Sequence, residues 1–225
     1  MENTKYYKQR ESSRDQNYIK DNVPSRVVVI LTNKCNLKCY FCFQDRKSLP
    51  NSMSTEDWMN FIDTLENNSH ITITGGEPLL FKDFEKIFLH ASKRHSINIV
   101  CNGTFLSKNF ADLFLSTKNF MVLSISVDTV GNLNRDVKPE QYKKMKETLN
   151  YFSQLRSKLN HNAVIDTKTT VIDETAKDLF KIYIHCKEDL KSDTHSFQFL
   201  KGSPIQHADK EFQYEKIFEE PTPEV

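Results

Sequence analysis

RVVVILTNKCNLKCYFC, residues 26–42, sets a run of β-branched residues directly against three cysteines. The run Arg26 to Thr32 reads as a strand buried on both faces, because no polar residue interrupts it between Val27 and Leu31. A C-x3-C-x2-C loop, formed by Cys35, Cys39 and Cys42, comes directly after it. Downstream the strand signal recurs, each time succeeded by a helical period. Ser54 caps a helix with Asp57 three residues on, and Trp58, Phe61, Ile62 and Leu65 form its apolar face. Ile71 to Thr74 is a strand running into Gly75-Gly76, with a helix from Phe81 to Lys93. Ile97 to Cys101 is a strand running into Asn102-Gly103, with a helix from Ser107 to Leu115. Phe120 to Val127 ends near Asp128 and precedes a long helix from about Pro139 to Leu159. Ala163 to Val171, a helix from Thr175 to Lys187, and Ser196 to Leu200 complete the series.

Strands alternating with helices predict parallel βαβ units. Each unit takes about 30 residues, so six strands fit between Arg26 and Gly202, whereas a full eight-stranded barrel takes about 250. The expected fold is therefore α/β, an open, partial (βα)6 barrel of the TIM type. Its expected core is residues 26–204, preceded by a polar arm (1–25) and succeeded by a tail (205–225) with a short helix near Lys210 to Phe218. Gly75-Gly76, Asn102-Gly103 and Asp128 all fall just after strands, on the edge where parallel barrels bind ligands.

Composition narrows the function classes. The chain has 225 residues, 38% of them hydrophobic, enough for a core. Its 31 basic and 30 acidic residues balance, which speaks against a nucleic-acid partner or a membrane surface. No apolar run is long enough to span a bilayer, and the N-terminus lacks the apolar core of a signal peptide; a cytoplasmic protein is expected. The five cysteines are odd in number and three crowd into eight residues, so a disulfide framework is not expected. Three thiols in a reducing compartment point to a metal or an iron–sulfur cluster. Structural zinc takes four ligands, and the next histidine, His70, lies beyond a helix. A three-thiolate cluster leaves one iron open for a small-molecule ligand. Cys101 reads as a cavity thiol or a small buried hydrophobe, and Cys186 as core. The seven histidines lack ligand spacing, and Lys143-Lys144-Met145-Lys146 is the wet face of a helix.

The cysteine loop after a first strand, with Thr74-Gly75-Gly76-Glu77-Pro78 one βα unit later, resembles the radical S-adenosylmethionine (SAM) enzymes. The resemblance extends from about Arg26 to Pro204. It implies that Cys35, Cys39 and Cys42 hold a 4Fe–4S cluster whose fourth iron is chelated by SAM, and that Phe41 lies beside the adenine. It implies that Gly75, Gly76, Glu77 and Pro78 meet the SAM ammonium, glycines allowing close backbone approach and Glu77 accepting. Asn102 matches an Asn-Gly turn of the family and is equally a simple strand-ending turn. Ser126 and Asp128 fall where relatives meet the SAM ribose or carboxylate, and Asp128 could equally cap its loop. Lys168 and Thr170 share a strand face and either line the cavity or are solvated. Leu200, in Leu200-Lys201-Gly202-Ser203-Pro204, matches a segment packed under the adenine.

The wording of both motifs is similar to the branch that holds peptide maturases and sugar dehydrogenases, many with a Cys-rich SPASM or Twitch domain. No such domain is expected here, which raises a partner subunit that closes the barrel. Phe43 after the last cysteine also resembles the viperin-like group. The implied activity is SAM cleavage to a 5′-deoxyadenosyl radical that takes hydrogen from a peptide or small polar metabolite. The implied electron source is an external one-electron donor of the flavodoxin or ferredoxin kind. The alternative is a non-catalytic iron–sulfur module or degenerate subunit serving a partner enzyme.

Overall fold

In a computed structural model of the chain, residues 26–42 and 53–199 are described. The six strands among them are β1 (Arg26–Thr32), β2 (His70–Gly75), β3 (Ser96–Cys101), β4 (Phe120–Ser126), β5 (Val164–Val171) and β6 (Thr194–Phe199). They form one sheet in chain order, β1-β2-β3-β4-β5-β6, with every neighbouring pair parallel. The helices are α1 (Thr55–Asp63), α2 (Phe84–Ser92), α3 (Lys108–Leu115), α4 (Pro139–Lys158), α5 (Asp173–Ala176) and α6 (Leu179–Glu188). This is the open (βα)6 arrangement expected from the alternation of signals. The proposed arm, the Leu200–Pro204 segment, the helix near Lys210 to Phe218 and Phe43 lie outside the described residues.

Local chemistry accounts for the boundaries. The Ser54 hydroxyl accepts from the Asp57 N–H and the Asp57 carboxylate accepts from the Ser54 N–H, a reciprocal cap that starts α1. Ser107 caps α3 the same way on one side, and Pro139 opens α4 at its first position. The expected helix from Thr175 is instead two. The Thr175 hydroxyl donates to the carbonyls of Thr170 and Ile172 and anchors the start of α5, which ends after one turn at Ala176 before α6 begins at Leu179. The expected helix from Phe81 starts later, at Phe84, because Pro78–Leu80 forms a 3-10 turn first.

The outer face of the sheet carries the core. Ile71, Ile73, Ile97, Ile99, Leu123, Ile125 and Ile165 are fully buried there, against Ile87, Phe88, Phe114 and Phe152 from the helices. Phe120 joins Phe88, Phe114 and Phe152 in a continuous aromatic layer, with the Phe114–Phe120 centroids 4.9 Å apart. The inner face differs. On β1, Val29 and Leu31 are buried, but Val28 and Ile30 are 55% and 47% exposed. This corrects the expectation of a strand buried on both faces. β1 is an edge strand of an open sheet, so helices cover one side of it only. Among the described residues no helix is long and apolar enough to cross a membrane.

Candidate functional site

The C-terminal ends of β1, β2 and β3 are tied into one knot. Gly75 has a φ of 149°, and a Cβ there would sit 2.4 Å from the Thr32 carbonyl oxygen. A Cβ on Gly76 would sit 2.4 Å from the Lys34 carbonyl oxygen. In the space a side chain would take, the Gly76 N–H donates to Thr32 O at 2.7 Å and the Glu77 N–H to Lys34 O at 2.8 Å. The glycines thus permit close approach, and the partner that approaches is the backbone leading into Cys35.

Glu77 is fully buried. Its carboxylate accepts from the Asn102 N–H at 2.7 Å and the Leu79 N–H at 3.1 Å, joining the β2 and β3 turns. Burial raises its pKa to about 7 against these two hydrogen bonds, which lower it. Pro78, buried beside it, opens the 3-10 turn. Asn102 continues the knot. Its Nδ2 donates to Asn36 Oδ1 at 3.0 Å and points at Cys35 Sγ at 3.7 Å, while its Oδ1 accepts from Thr104 N–H and hydroxyl. Asn36 in turn donates to the Thr104 hydroxyl.

The cysteine loop rests on this knot. The Cys42 N–H donates to Cys39 O at 3.1 Å, and the Leu37 N–H points at Cys35 Sγ at 3.4 Å. The three thiols pack in one small apolar cluster with Leu37, Phe41, Val137 and Ile172. Burial pushes the Cys39 thiol up, Arg135 acts against the rise, and Cys35 and Cys42 add to it. No three metal-binding side chains among the described residues gather as one metal ion requires. Three thiols on one loop, in an apolar setting and within electrostatic reach of each other, suit a polynuclear iron–sulfur cluster better than zinc.

A family model described as the Radical SAM superfamily matches residues 29–182. The chain belongs to the radical SAM superfamily. Members of this superfamily use a 4Fe–4S cluster and SAM, and the thiol set on the cysteine loop fits such a cluster. The chain is 30% identical over 137 residues to the sporulation killing factor maturation protein SkfB of Bacillus subtilis (strain 168), covering 59% of this chain and 33% of SkfB. It is 32% identical over 94 residues to a probable GTP 3',8-cyclase of Archaeoglobus fulgidus, covering 40% of this chain and 32% of the cyclase. The chain thus spans about a third of the length of these relatives. Streptococcus suis SuiB bound to S-adenosylmethionine has the same fold, with a TM-score of 0.67, 18% identity, and cover of 91% of this chain and 48% of SuiB.

The remaining expected positions of this radical SAM chain fall in two places. Ser126, at the end of β4, and Lys168, in the middle of β5, are register partners on the inner face. Asp128 is removed from that surface. It is fully buried, ion-paired to Arg135, and its Oδ1 accepts from the Thr170 N–H. Phe41 lies under the same Arg135, whose guanidinium is 5.1 Å from the ring centroid. Leu200 lies outside the described residues. Asp166, not anticipated, is buried on the inner face one position pair below Lys168. It accepts from the Ser124 and Thr194 hydroxyls at 2.8 Å each, and Lys168 Nζ is 3.8 Å from it. Strand alternation from Lys168 could have located it. Asn36, Thr104 and Arg135 were also unanticipated, and no spacing in the sequence marks them.

Proposed function

We propose that the chain is a SAM-cleaving enzyme whose substrate is a peptide or small polar metabolite held on the inner face of the sheet. The observation that carries this reading is the three-thiol loop clamped at the C-terminal edge of a parallel sheet by Gly75, Gly76, Glu77 and Asn102. In this reading Cys35, Cys39 and Cys42 hold three irons of a 4Fe–4S cluster. The bound cluster and SAM supply a 5′-deoxyadenosyl radical that takes a hydrogen atom from the substrate. The carbonyls of Gly75 and Gly76 and the side chains of Ser126 and Lys168 orient SAM along that edge. Phe41 bounds the pocket on the cluster side. Glu77 and Asp128 hold loops in place, since their oxygens are engaged by the chain itself.

A peptide substrate is supported by two relatives. SkfB is a maturation protein for a sporulation killing factor, and SuiB has been solved bound to its precursor peptide SuiA. The inner face suits such a substrate, because it offers exposed Val28 and Ile30 on β1 and the partly exposed, charged Lys168 on β5. An external one-electron donor is part of the proposal, as is a partner subunit covering the open side of the sheet.

The test is formation of 5′-deoxyadenosine by anaerobically reconstituted protein with SAM and dithionite, against Cys39→Ala. Product well above that control is expected, together with loss of cluster absorbance in the variant. A fully loaded cluster that yields no product, alone or with candidate peptides, would instead assign the chain to a non-catalytic iron–sulfur module.

A further inference from the structure

Arg135 closes the 3-10 segment Val130–Arg135 that succeeds β4. Gly131 and Asn132 within it adopt φ values of 81° and 55°, which reverse the chain and return Arg135 to the cysteine loop. The turn is pinned by its own side chain. Asn132 Oδ1 accepts from the Asp128 N–H at 2.9 Å, and its Nδ2 donates to Ser126 O at 2.9 Å. The guanidinium that results is held on three sides. Nε pairs with the Asp128 carboxylate, the plane lies over Phe41, and Nη1 reaches Cys39 Sγ at 3.8 Å. Only 12% of the side chain is exposed, so it does not reach for water as a surface arginine does.

Charge balance with Asp128 explains Nε but not Nη1. The carboxylate alone would neutralise the cation, yet a second arm of the fork is spent on the most buried of the three thiols. Hydrogen bonds to ligand sulfurs and nearby fixed charge are the protein's main controls over the reduction potential of an iron–sulfur cluster. A fixed cation in a water-poor site acts more strongly than one in solvent.

We propose that Arg135 is a positioning residue that raises the reduction potential of the cluster held through Cys39, by donating to that sulfur and by placing a fixed positive charge against it. This rests on the reading that Cys35, Cys39 and Cys42 hold a 4Fe–4S cluster. The step concerned is the transfer of one electron from a one-electron reductant to the oxidised cluster. No bond forms or breaks, and the added negative charge is stabilised by the guanidinium. Asp128 opposes the effect, but it sits on the far arm of the fork, so the cation is nearer the sulfur.

The experiment is an anaerobic redox titration of the reconstituted full chain monitored by electron paramagnetic resonance, on wild type, Arg135→Gln and the double variant Asp128→Asn/Arg135→Gln. Iron and sulfide are counted first. Arg135→Gln is expected to lower the equilibrium constant for reduction about tenfold, about 59 mV for a one-electron couple. The double variant, which leaves no buried carboxylate unpaired, should lie between it and wild type. An unshifted potential in fully loaded Arg135→Gln overturns the proposal. So does a double variant that returns to the wild-type potential, since the shift then belongs to unpaired Asp128. If neither variant loads although wild type does, Arg135 is a structural requirement and the proposal falls. A wild-type chain that takes up no iron is a different result: it removes the cluster reading itself, before any potential is measured.

Discussion

The two faces of one sheet obey different rules. Outside, β2, β3 and β4 present isoleucines and Phe120 to a layer of phenylalanines, and almost every side chain there is sealed from water. Inside and along the C-terminal edge, Thr72 on β2, Ser124 on β4 and Asp166 on β5 are polar, and their contacts are directional hydrogen bonds. The outer face is held by area and shape, which tolerate little loss of volume. The edge is held by partners, so each residue counts through the groups it bonds.

Phe114 tests the first half of that contrast. Its ring is fully buried and touches Phe84, Phe88, Phe110 and Phe120. Phe114→Ala should cost about 3–5 kcal/mol of unfolding free energy, read from urea denaturation of the cluster-free protein. A loss under about 1 kcal/mol would show that the aromatic layer relaxes around the cavity, and that the outer face is not the rigid partner in the comparison.

The difference between the faces also explains how much could be read from the sequence. Apolar periodicity reports burial against helices, so the strands and helices of the outer layer were legible almost to their ends. It carries less information about an uncovered face, and for that reason Val28 and Ile30 were wrongly expected to be buried. The cysteine spacing and Gly75-Gly76 stood out because few residue types satisfy them. The purpose of the glycines did not, since a sequence shows that the backbone can come close but not which group it meets. Arg135 was invisible for a further reason. It reaches Cys39 from 96 positions away through a turn set by Gly131 and Asn132, and nothing local distinguishes it from a surface arginine.

Glu77 tests the edge. Its pKa is raised from 4.5 to about 7 by burial, so the folded chain holds this proton more tightly than the unfolded chain does. Its contribution to stability is therefore fully present below about pH 4.5 and is lost as pH rises through about 7. At about 1.4 kcal/mol per pH unit the loss across that window is about 3 kcal/mol. Buried histidines with lowered pKa values, such as His70 and His195, slope the other way. Wild type and Glu77→Gln share them, so the difference between the two isolates the carboxyl. The stability of Glu77→Gln relative to wild type should climb between pH 4.5 and 7, from whatever offset the amide's extra donor imposes at the start. Parallel curves would mean that Glu77 is solvated, and that the knot between the β2 and β3 turns opens in solution.

The smallest effect is expected where the two rules meet, on β1. Ile30 sits between buried Val29 and Leu31 in the same β-branched run, yet it is 47% exposed on the inner face. Ile30→Thr keeps the branched Cβ that suits a strand and removes only apolar volume that packs against little. Its cost in urea denaturation should stay within about 0.5 kcal/mol, as for a surface position. A loss approaching that of Phe114→Ala would erase the contrast, because it would require the inner face of β1 to be covered in solution. The same substitution then distinguishes two sources of cover. A cost independent of protein concentration places it within the chain, whereas one that shrinks on dilution places it in a second copy, since dilution removes the association that the substitution weakens.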